Sequence, residues 1–182
     1  MVADKYAELC YKHDGCRILQ AMVKYGNRPQ RILVVDKIKP YFLTLMSSKY
    51  SHYLATKAYY FAPEASQKQH FRSEVQGSIQ KLILHSYAAE VVEYIYCQST
   101  DVEKREMVFG LYGNYFLLLK EFITTKEGEN PTLAGFIAQK PQLGPGILDK
   151  LEPVVLKLVH KGHTRHTICQ AILADYIECQ TD

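Results

Sequence analysis

The hydrophobic pattern of the first thirty residues is that of an amphipathic helix followed by a break. Four apolar residues recur at intervals of three and four positions, the spacing of one helical face: Ile18, Leu19, Met22 and Val23. Asp14 precedes them and is a residue type favoured at helix N-caps. The letters YGN interrupt the pattern, and Pro29 suits the first turn of a second helix. The pattern therefore predicts two helices with a short break between them.

The same helical pattern continues along the rest of the chain. PQRILVVDKI begins with Pro29, KPYFLTLMSS begins with Pro40, and KYSHYLATKAYYFA ends before Pro63. Residues 75–98 and 146–177 show the same helical spacing of apolar positions. No segment alternates strictly between apolar and polar residues, as a half-buried strand would. We therefore predict an all-α fold without a sheet.

A short motif repeats within these helices. It consists of a small residue, two variable residues, two mostly apolar residues and a variable residue. It begins at positions 15, 51, 88, 113 and 164, which are separated by 36, 37, 25 and 51 residues. Intervals near 36 fit a helical repeat, because solenoid units run about 20–45 residues. The long interval contains the polar segment TTKEGENPT, so we expect a projecting loop insertion at about residues 124–132.

The repeat predicts one array over residues 1–182, a right-handed α-solenoid of about five three-helix units. We expect its motif helices to lie on the concave face near residues 15–26, 51–62, 88–98, 113–123 and 164–178.

Composition adds modest constraints. The 182 residues carry a net charge of +3 with a pI of about 8.5, which permits an anionic partner without requiring one. There are 14 Tyr, 7 Phe and no Trp, and tyrosine combines a stacking face with a polar tip. The five cysteines include no CxxC pair and no secretory leader pattern is visible, so we expect reduced thiols in an intracellular protein. No apolar run approaches the ~18 residues of a membrane span.

Two groups of metal-ligand residue types need consideration. The larger is His160, His163, His166 and Cys169. Steps of three residues turn by about −60° each on a helix, so these side chains fan out and do not close a tetrahedral site. Cys10, His13 and Cys16 have the same spacing. We expect no metal and no cofactor. The phosphate-loop, dinucleotide-binding, zinc-protease and serine-hydrolase motifs are missing, so we also expect no enzymatic activity and no small-molecule substrate.

The first motif carries an unusual trio, Cys16, Arg17 and Gln20, on one face of its helix. Together, GCRILQAMVKYG, PQR and SKYSHYLATK resemble the Pumilio-homology (PUF) repeat family, in particular its divergent nucleolar Puf-A-like branch. The resemblance continues through VEYIYC, LYGNYF and PTL and covers about residues 13–173, more weakly after about residue 131. Members of this family are longer, so we expect the chain to be part of a longer array.

The resemblance implies a role for the trio. PUF repeats read RNA one base per repeat with two or three side chains. By this resemblance Cys16 and Gln20 contact the base edge and Arg17 stacks, a combination similar to the family's adenine-reading set. The geometry is compatible, since positions 16 and 20 are neighbours on a helix, and an amide both donates and accepts. The alternative is a buried cysteine beside two exposed polar residues.

The other motifs depart from the family's reading pattern. The corresponding sets are His52, Tyr53 and Thr56; Ala89, Glu90 and Glu93; Asn114, Tyr115 and Leu118; and Arg165, His166 and Cys169. Tyr53 is a stacking candidate, whereas Leu118 has no group that reads a base edge. We therefore expect RNA contacts that depend mainly on phosphates and little on sequence, as the resemblance also implies. The candidate phosphate-binding residues are Arg17, Lys24, Arg28, Arg31, Lys49, Lys57, Lys68, Arg72 and Lys81. Alternatively, these cations form ordinary solvated helix faces.

The resemblance implies a nucleolar, hence nuclear, RNA-binding protein of ribosome biogenesis. Its expected partner is the large-subunit rRNA precursor, with pre-ribosomal proteins as further candidates and no membrane. Translational repression of an mRNA is an alternative within the same family. A helical-repeat scaffold that binds proteins is an alternative outside it.

Overall fold

The structure is a computed structural model that describes residues 2–125 and 131–180. Its α-helices are α1 (Val2–Tyr11), α2 (His13–Tyr25), α3 (Arg28–Ile38), α4 (Phe42–Met46), α5 (His52–Phe61), α6 (Ala65–Leu82), α7 (Ala88–Cys97), α8 (Asp101–Phe109), α9 (Phe116–Thr125), α10 (Leu133–Gln139), α11 (Gly144–His160) and α12 (Thr167–Glu178). Four 3-10 segments connect some of them: Lys39–Tyr41, Gly110–Tyr115, Pro141–Leu143 and His163–Arg165. The described residues contain no strand, as predicted.

The chain divides into two compact units, Met1–Ile95 and Tyr96–Asp182, called unit 1 and unit 2 below. In unit 1, α2 packs against α1, α3 and α5, and α4 packs against α5 and α6. Leu19 and Val23 on α2 and Leu54 on α5 are fully buried, and the rings of Phe42 and Phe71 stack at 4.1 Å. Of the predicted apolar stripe of the first motif, Leu19 and Val23 therefore belong to the core, whereas Ile18 is 59% exposed and Met22 is half-buried.

Local sequence determines where the helices of unit 1 begin. Asn27 caps α3 by accepting from the backbone N–H of Gln30, whose side chain accepts from the N–H of Asn27 in return. Asp14, the predicted N-cap of α2, instead lies inside the first turn, because the helix already begins at His13. Gly15 is required by packing: a Cβ at this position would lie 2.8 Å from the carbonyl oxygen of Leu9.

Unit 2 is held together by a buried ion pair as well as by apolar packing. Arg105 on α8 donates from Nη1 to both carboxylate oxygens of Asp175 on α12, at 3.0 Å each, and the hydroxyl of Tyr112 donates to Oδ2 at 3.1 Å. Asp175 and Tyr112 are buried. Burial raises the pKa of the Asp175 carboxyl, and the Arg105 guanidinium opposes that shift.

The motif helices follow the expected positions closely in unit 1 and less closely in unit 2. The first three are α2, α5 and α7. The fourth begins at Phe116, three residues later than expected, because Gly113 has φ 61° and ψ −120°, outside the helical region. The fifth begins at Thr167, since Gly162 has φ 68° and the 3-10 turn His163–Arg165 follows it. Most of the expected loop at 124–132 lies outside the described residues.

Candidate nucleic-acid interface

The trio of the first motif lies on the face of α2 that borders α5 and the segment before it. Cys16 is buried, Gln20 is half-buried and Arg17 is exposed. These side chains line a partly open pocket of about 240 Å³, called the α2 pocket. Its lining residues are His13, Cys16, Arg17, Gln20, Tyr50 and Tyr53. The structure thus brings the trio together at a recess of unit 1.

Aromatic rings and a guanidinium give the α2 pocket surfaces for stacking. Tyr50 and Tyr53 are 52% and 56% exposed, so a ligand has access to their rings. The ring of His13 meets that of Tyr50 edge to face at 5.9 Å. Arg17 contributes a planar cation to the same recess. Flat groups of this kind stack on nucleic-acid bases whatever the base, since every base has a π-face.

A chain of hydrogen bonds runs along the back of the α2 pocket. Lys57 Nζ on α5 donates to Gln20 Oε1 at 2.9 Å, and Gln20 Nε2 donates to Cys16 Sγ at 3.4 Å. Cys16 Sγ lies 4.0 Å from the carbonyl oxygen of Tyr50, to which it donates. Lys57 therefore contacts the predicted reader Gln20 directly.

The second motif places its residues differently from the first. Tyr53 is exposed as expected, but His52 is buried, and its Nδ1 lies 3.0 Å from the carbonyl oxygen of Ser48. The His52 ring packs between Tyr53, at 3.9 Å, and Tyr87, at 5.2 Å. Thr56 donates its hydroxyl to the carbonyl oxygen of His52 at 3.0 Å. His52 thus supports Tyr53 from the interior, in contrast to the base-edge role suggested by its sequence position.

Several of the predicted basic residues surround the α2 pocket. Lys24 is exposed one helical turn beyond Gln20, with its Nζ 4.7 Å from the centre of the Tyr25 ring. Lys24 and, more weakly, Lys57 lower the pKa of the exposed Tyr25 hydroxyl through a hydrogen bond and through charge. Lys49 is exposed, and its Nζ lies 5.5 Å from the centre of the Tyr50 ring. Cations beside accessible rings on one surface suit an anionic, base-bearing ligand.

Other predicted basic residues make structural contacts within unit 1. Arg31 donates from Nε to the carbonyl oxygen of Gly26 at 2.8 Å and from Nη2 to that of Lys24 at 3.0 Å, so it caps the end of α2. Arg28 pairs with Glu64 at 2.8 Å. The Nζ atom of Lys68 lies 5.8 Å from the centre of the Tyr59 ring. Arg72 donates from Nη1 to the Tyr59 hydroxyl at 3.3 Å.

The remaining basic candidate, Lys81, and the third motif add little to the recess. Lys81 is exposed in the last turn of α6, and none of the residues that line the α2 pocket is close to it in sequence. In the third motif Ala89 is buried, Glu90 is exposed and Glu93 is half-buried. Carboxylates here oppose binding of a phosphate backbone.

Four of the six predicted reading positions of unit 2 lie outside its α-helices. Asn114 and Tyr115 lie in the 3-10 segment before α9, and the Tyr115 hydroxyl occupies the space where a side chain at Gly146 would begin. Arg165 is exposed in the 3-10 turn before α12.

His166 is buried at the N-cap of α12, where it stacks on His163 at 5.8 Å. Burial, together with the charges of His166 and its basic neighbours, lowers the pKa of His163. Cys169 is fully buried. The fourth and fifth motifs therefore contribute packing residues at several positions where base readers were expected.

Within residues 2–125 and 131–180, no three His, Cys, Asp or Glu side chains come together as metal ligands do. In the same residues no helix combines the length and the apolar character needed to cross a bilayer.

Sequence reasoning missed two residues of the α2 pocket, Tyr50 and His13. Tyr50 directly precedes the second motif and lies outside any helix, so helical periodicity gives no signal for it. By sequence, His13 belongs only to a group of metal-ligand residue types. Its position four residues before Arg17 places it on the same helical face and was the available signal.

Comparison with known proteins gives relatives of one kind. No family model matches the chain. The chain is 25% identical to Pumilio homolog 3 of Rattus norvegicus, 27% identical to Pumilio homolog 24 of Arabidopsis thaliana and 28% identical to Pumilio homology domain family member 6 of Saccharomyces cerevisiae. These alignments cover 97%, 95% and 96% of this chain but 26% of each relative. The chain thus spans about a quarter of the length of the curated relatives it matches.

The structural comparison agrees with the sequence comparison. The fold is similar to the crystal structure of human Puf-A, with a TM-score of 0.78 and 24% identity over 97% of this chain and 34% of that chain. This similarity confirms the predicted fold class, an all-α array of PUF-type repeats. The resemblance predicted from the repeat motifs is likewise confirmed: the chain is similar to proteins named as Pumilio homologs and, in fold, to Puf-A.

Proposed function

We propose that this protein binds single-stranded RNA on the face of unit 1 formed by α2 and α5. The observation that carries the proposal is the α2 pocket, where Arg17 and Tyr53 offer stacking surfaces beside the hydrogen-bonding amide of Gln20. Lys24 and Lys49 are exposed near that recess and Lys57 lies against Gln20, so phosphates flanking a stacked base meet cations. The Pumilio names of the relatives support an RNA ligand for this surface.

We further propose that most of the binding is independent of sequence. Base reading needs a polar side chain that faces the ligand in each repeat. Outside the first motif, Thr56 bonds to the backbone, and buried Ala89 and exposed Leu118 have no polar side-chain group. Phosphate contacts and stacking therefore account for most of the affinity, with the first motif as the exception.

The proposed biological context follows from the resemblance to the nucleolar Puf-A-like branch. It is processing of the large-subunit rRNA precursor in the nucleolus, in contact with pre-ribosomal proteins. Fluorescence imaging of the tagged chain, combined with crosslinking of its bound RNA in cells, tests this context. We expect nucleolar signal and crosslinks to rRNA precursor. Crosslinks concentrated in mRNA would support the translational alternative.

Binding of labelled RNA over a salt series tests the proposed activity directly. Each phosphate contact contributes a slope of about −0.7 to the dependence of log affinity on log salt for single strands. We expect Lys24→Glu to weaken binding to every sequence and to flatten this slope by about that amount. Lys81→Glu is the matched control, since Lys81 is exposed on α6 away from α2 and α5 in sequence. Absence of RNA binding at low salt would favour a protein-binding scaffold.

A further inference from the structure

The hydrogen-bond chain behind the α2 pocket has a fixed direction. At one end is the Lys57 ammonium, which only donates, and at the other is the Tyr50 carbonyl, which only accepts. Between them lie the Gln20 amide and the Cys16 thiol, which do both. Because the ends are fixed, each intermediate group has one consistent assignment.

That direction fixes the orientation of the Gln20 amide. Rotating the amide by half a turn would place its NH2 group against the Lys57 ammonium, donor against donor, and would remove the donor to Cys16 Sγ. The arrangement is therefore held by two contacts at once. Lys57 and Gln20 are both half-buried, which strengthens a charge-assisted hydrogen bond relative to one in water.

The fixed orientation of the Gln20 amide determines which hydrogen-bonding groups a ligand in the α2 pocket can use. The Lys57 ammonium takes one of the two lone pairs of the Gln20 oxygen and places a cation beside the other, whereas the NH2 group has a second hydrogen beyond the one directed at Cys16. The neighbouring Arg17 side chain also carries donors only. The side chains of Gln20 and Arg17 thus favour an acceptor atom on the ligand over a donor.

We propose that Lys57 is a specificity-determining residue: by holding Oε1 of Gln20, it makes the α2 pocket accept an unpaired base through an acceptor atom and disfavours a contact with the adenine 6-amino group, whose N–H would lie beside the ammonium. This inference rests on the proposed RNA binding. It opposes the adenine preference expected from Cys16, Arg17 and Gln20 alone, because a two-point contact to adenine requires the amide oxygen as well as the amide nitrogen.

Two RNAs that differ by one amino group test the proposal. One is a short strand with a single adenosine in an otherwise abasic chain. The other carries purine riboside, which lacks the 6-amino group, at the same place. We expect the wild-type protein to bind the purine strand at least as tightly as the adenosine strand. Lys57→Met frees the amide oxygen, so we expect the variant to bind adenosine about 2- to 10-fold more tightly than purine, the range of one net hydrogen bond.

The ratio of the affinities for the adenosine and purine riboside strands separates the effect of Lys57 on the Gln20 amide from a general loss of positive charge. Lys24→Met removes the same charge beside the pocket without contacting Gln20, so its ratio should equal that of the wild type. A wild type that already favours adenosine several-fold, or an unchanged ratio in Lys57→Met, would overturn the inference. If Lys57→Met binds neither strand, the wild-type pair alone decides. If no single-stranded RNA binds at low salt, the proposed function itself fails.

Discussion

Replacing Arg105 with methionine tests how far the buried ion pair stabilises unit 2. The side chain of Asp175 is 5% exposed, and its carboxylate accepts from Arg105 at 3.0 Å and from Tyr112 at 3.1 Å. Arg105→Met leaves this carboxylate with the Tyr112 hydroxyl but without the guanidinium charge. Removing one partner of a buried pair costs about 3–5 kcal/mol, because the remaining charge is poorly solvated. We expect a loss of that size in the free energy of unfolding.

The neighbouring residue supplies a matched control on the same helix. Lys104 pairs with Asp101 at 3.4 Å, and the Asp101 side chain is 95% exposed. Exposed pairs contribute about 0–1 kcal/mol, so Lys104→Met should have little effect. Urea denaturation followed by circular dichroism at neutral pH compares both variants with the wild type. Equal losses for Arg105→Met and Lys104→Met would refute the assigned role of the buried pair.

The pH dependence of the Arg105→Met defect provides a second test. The pKa of Asp175 is raised by burial above its ordinary 3.8 while Arg105 opposes the rise. A carboxyl with a raised folded pKa stabilises the fold below its unfolded pKa and loses that contribution as pH rises through the folded pKa. Without Arg105 the pKa rises further, so the defect should be largest at neutral pH and shrink on acidification. A defect that is constant with pH would contradict this explanation.

Three further predictions concern the surface and the thiols. Arg17→Ala removes a stacking surface of the α2 pocket, so its affinity for single-stranded RNA in fluorescence anisotropy should fall by about 1–3 kcal/mol per stacked base, whatever the base. Lys49→Glu should weaken binding and flatten the salt slope by about 0.7, while an unchanged slope would place phosphates elsewhere. Burial and the nearby Cys16 raise the pKa of the Cys10 thiol to about 11, so a thiol reagent at pH 8 should leave Cys10 unmodified and modify exposed Cys97, as peptide mass spectrometry would show.

The helices of unit 1 were predictable because their signals are local. Apolar spacing of three and four residues identified Leu19 and Val23 on the buried face of α2, although it also included the exposed Ile18, and proline positions placed the start of α3 and the end of α5. The starts of α9 and α12 were less predictable. Gly113 and Gly162 adopt positive φ and delay those helices, whereas Gly15 is a regular helical residue. The residue type is the same, so only the surrounding chain determines which glycine interrupts a helix.

The candidate site was predictable in its residues but not in its contacts. Cys16, Arg17 and Gln20 share a helical face by spacing alone. The contact of Gln20 with Lys57 joins residues 37 positions apart and depends on how α2 packs against α5. The contact of Cys16 with Tyr50 uses the Tyr50 backbone carbonyl, a group that every residue has and that no sequence pattern distinguishes. Burial of His52 similarly follows from the neighbouring rings of Tyr53 and Tyr87.

The first two motifs differ in what they offer the proposed RNA ligand: a base-edge contact in the first and mainly stacking in the second. The two motifs place Gln20 and Thr56 at corresponding positions. Gln20 is long enough to reach across to α5 and still present an N–H to the recess. Thr56 is short, and its hydroxyl donates back to the carbonyl oxygen of His52, so its polar hydrogen is used within α5. A strand that extends from the α2 pocket toward the second motif therefore keeps a stacking partner in Tyr53 but loses the edge contact. If RNA binds as proposed, these two side chains make its affinity depend on base identity at the first motif and on charge and stacking beside it.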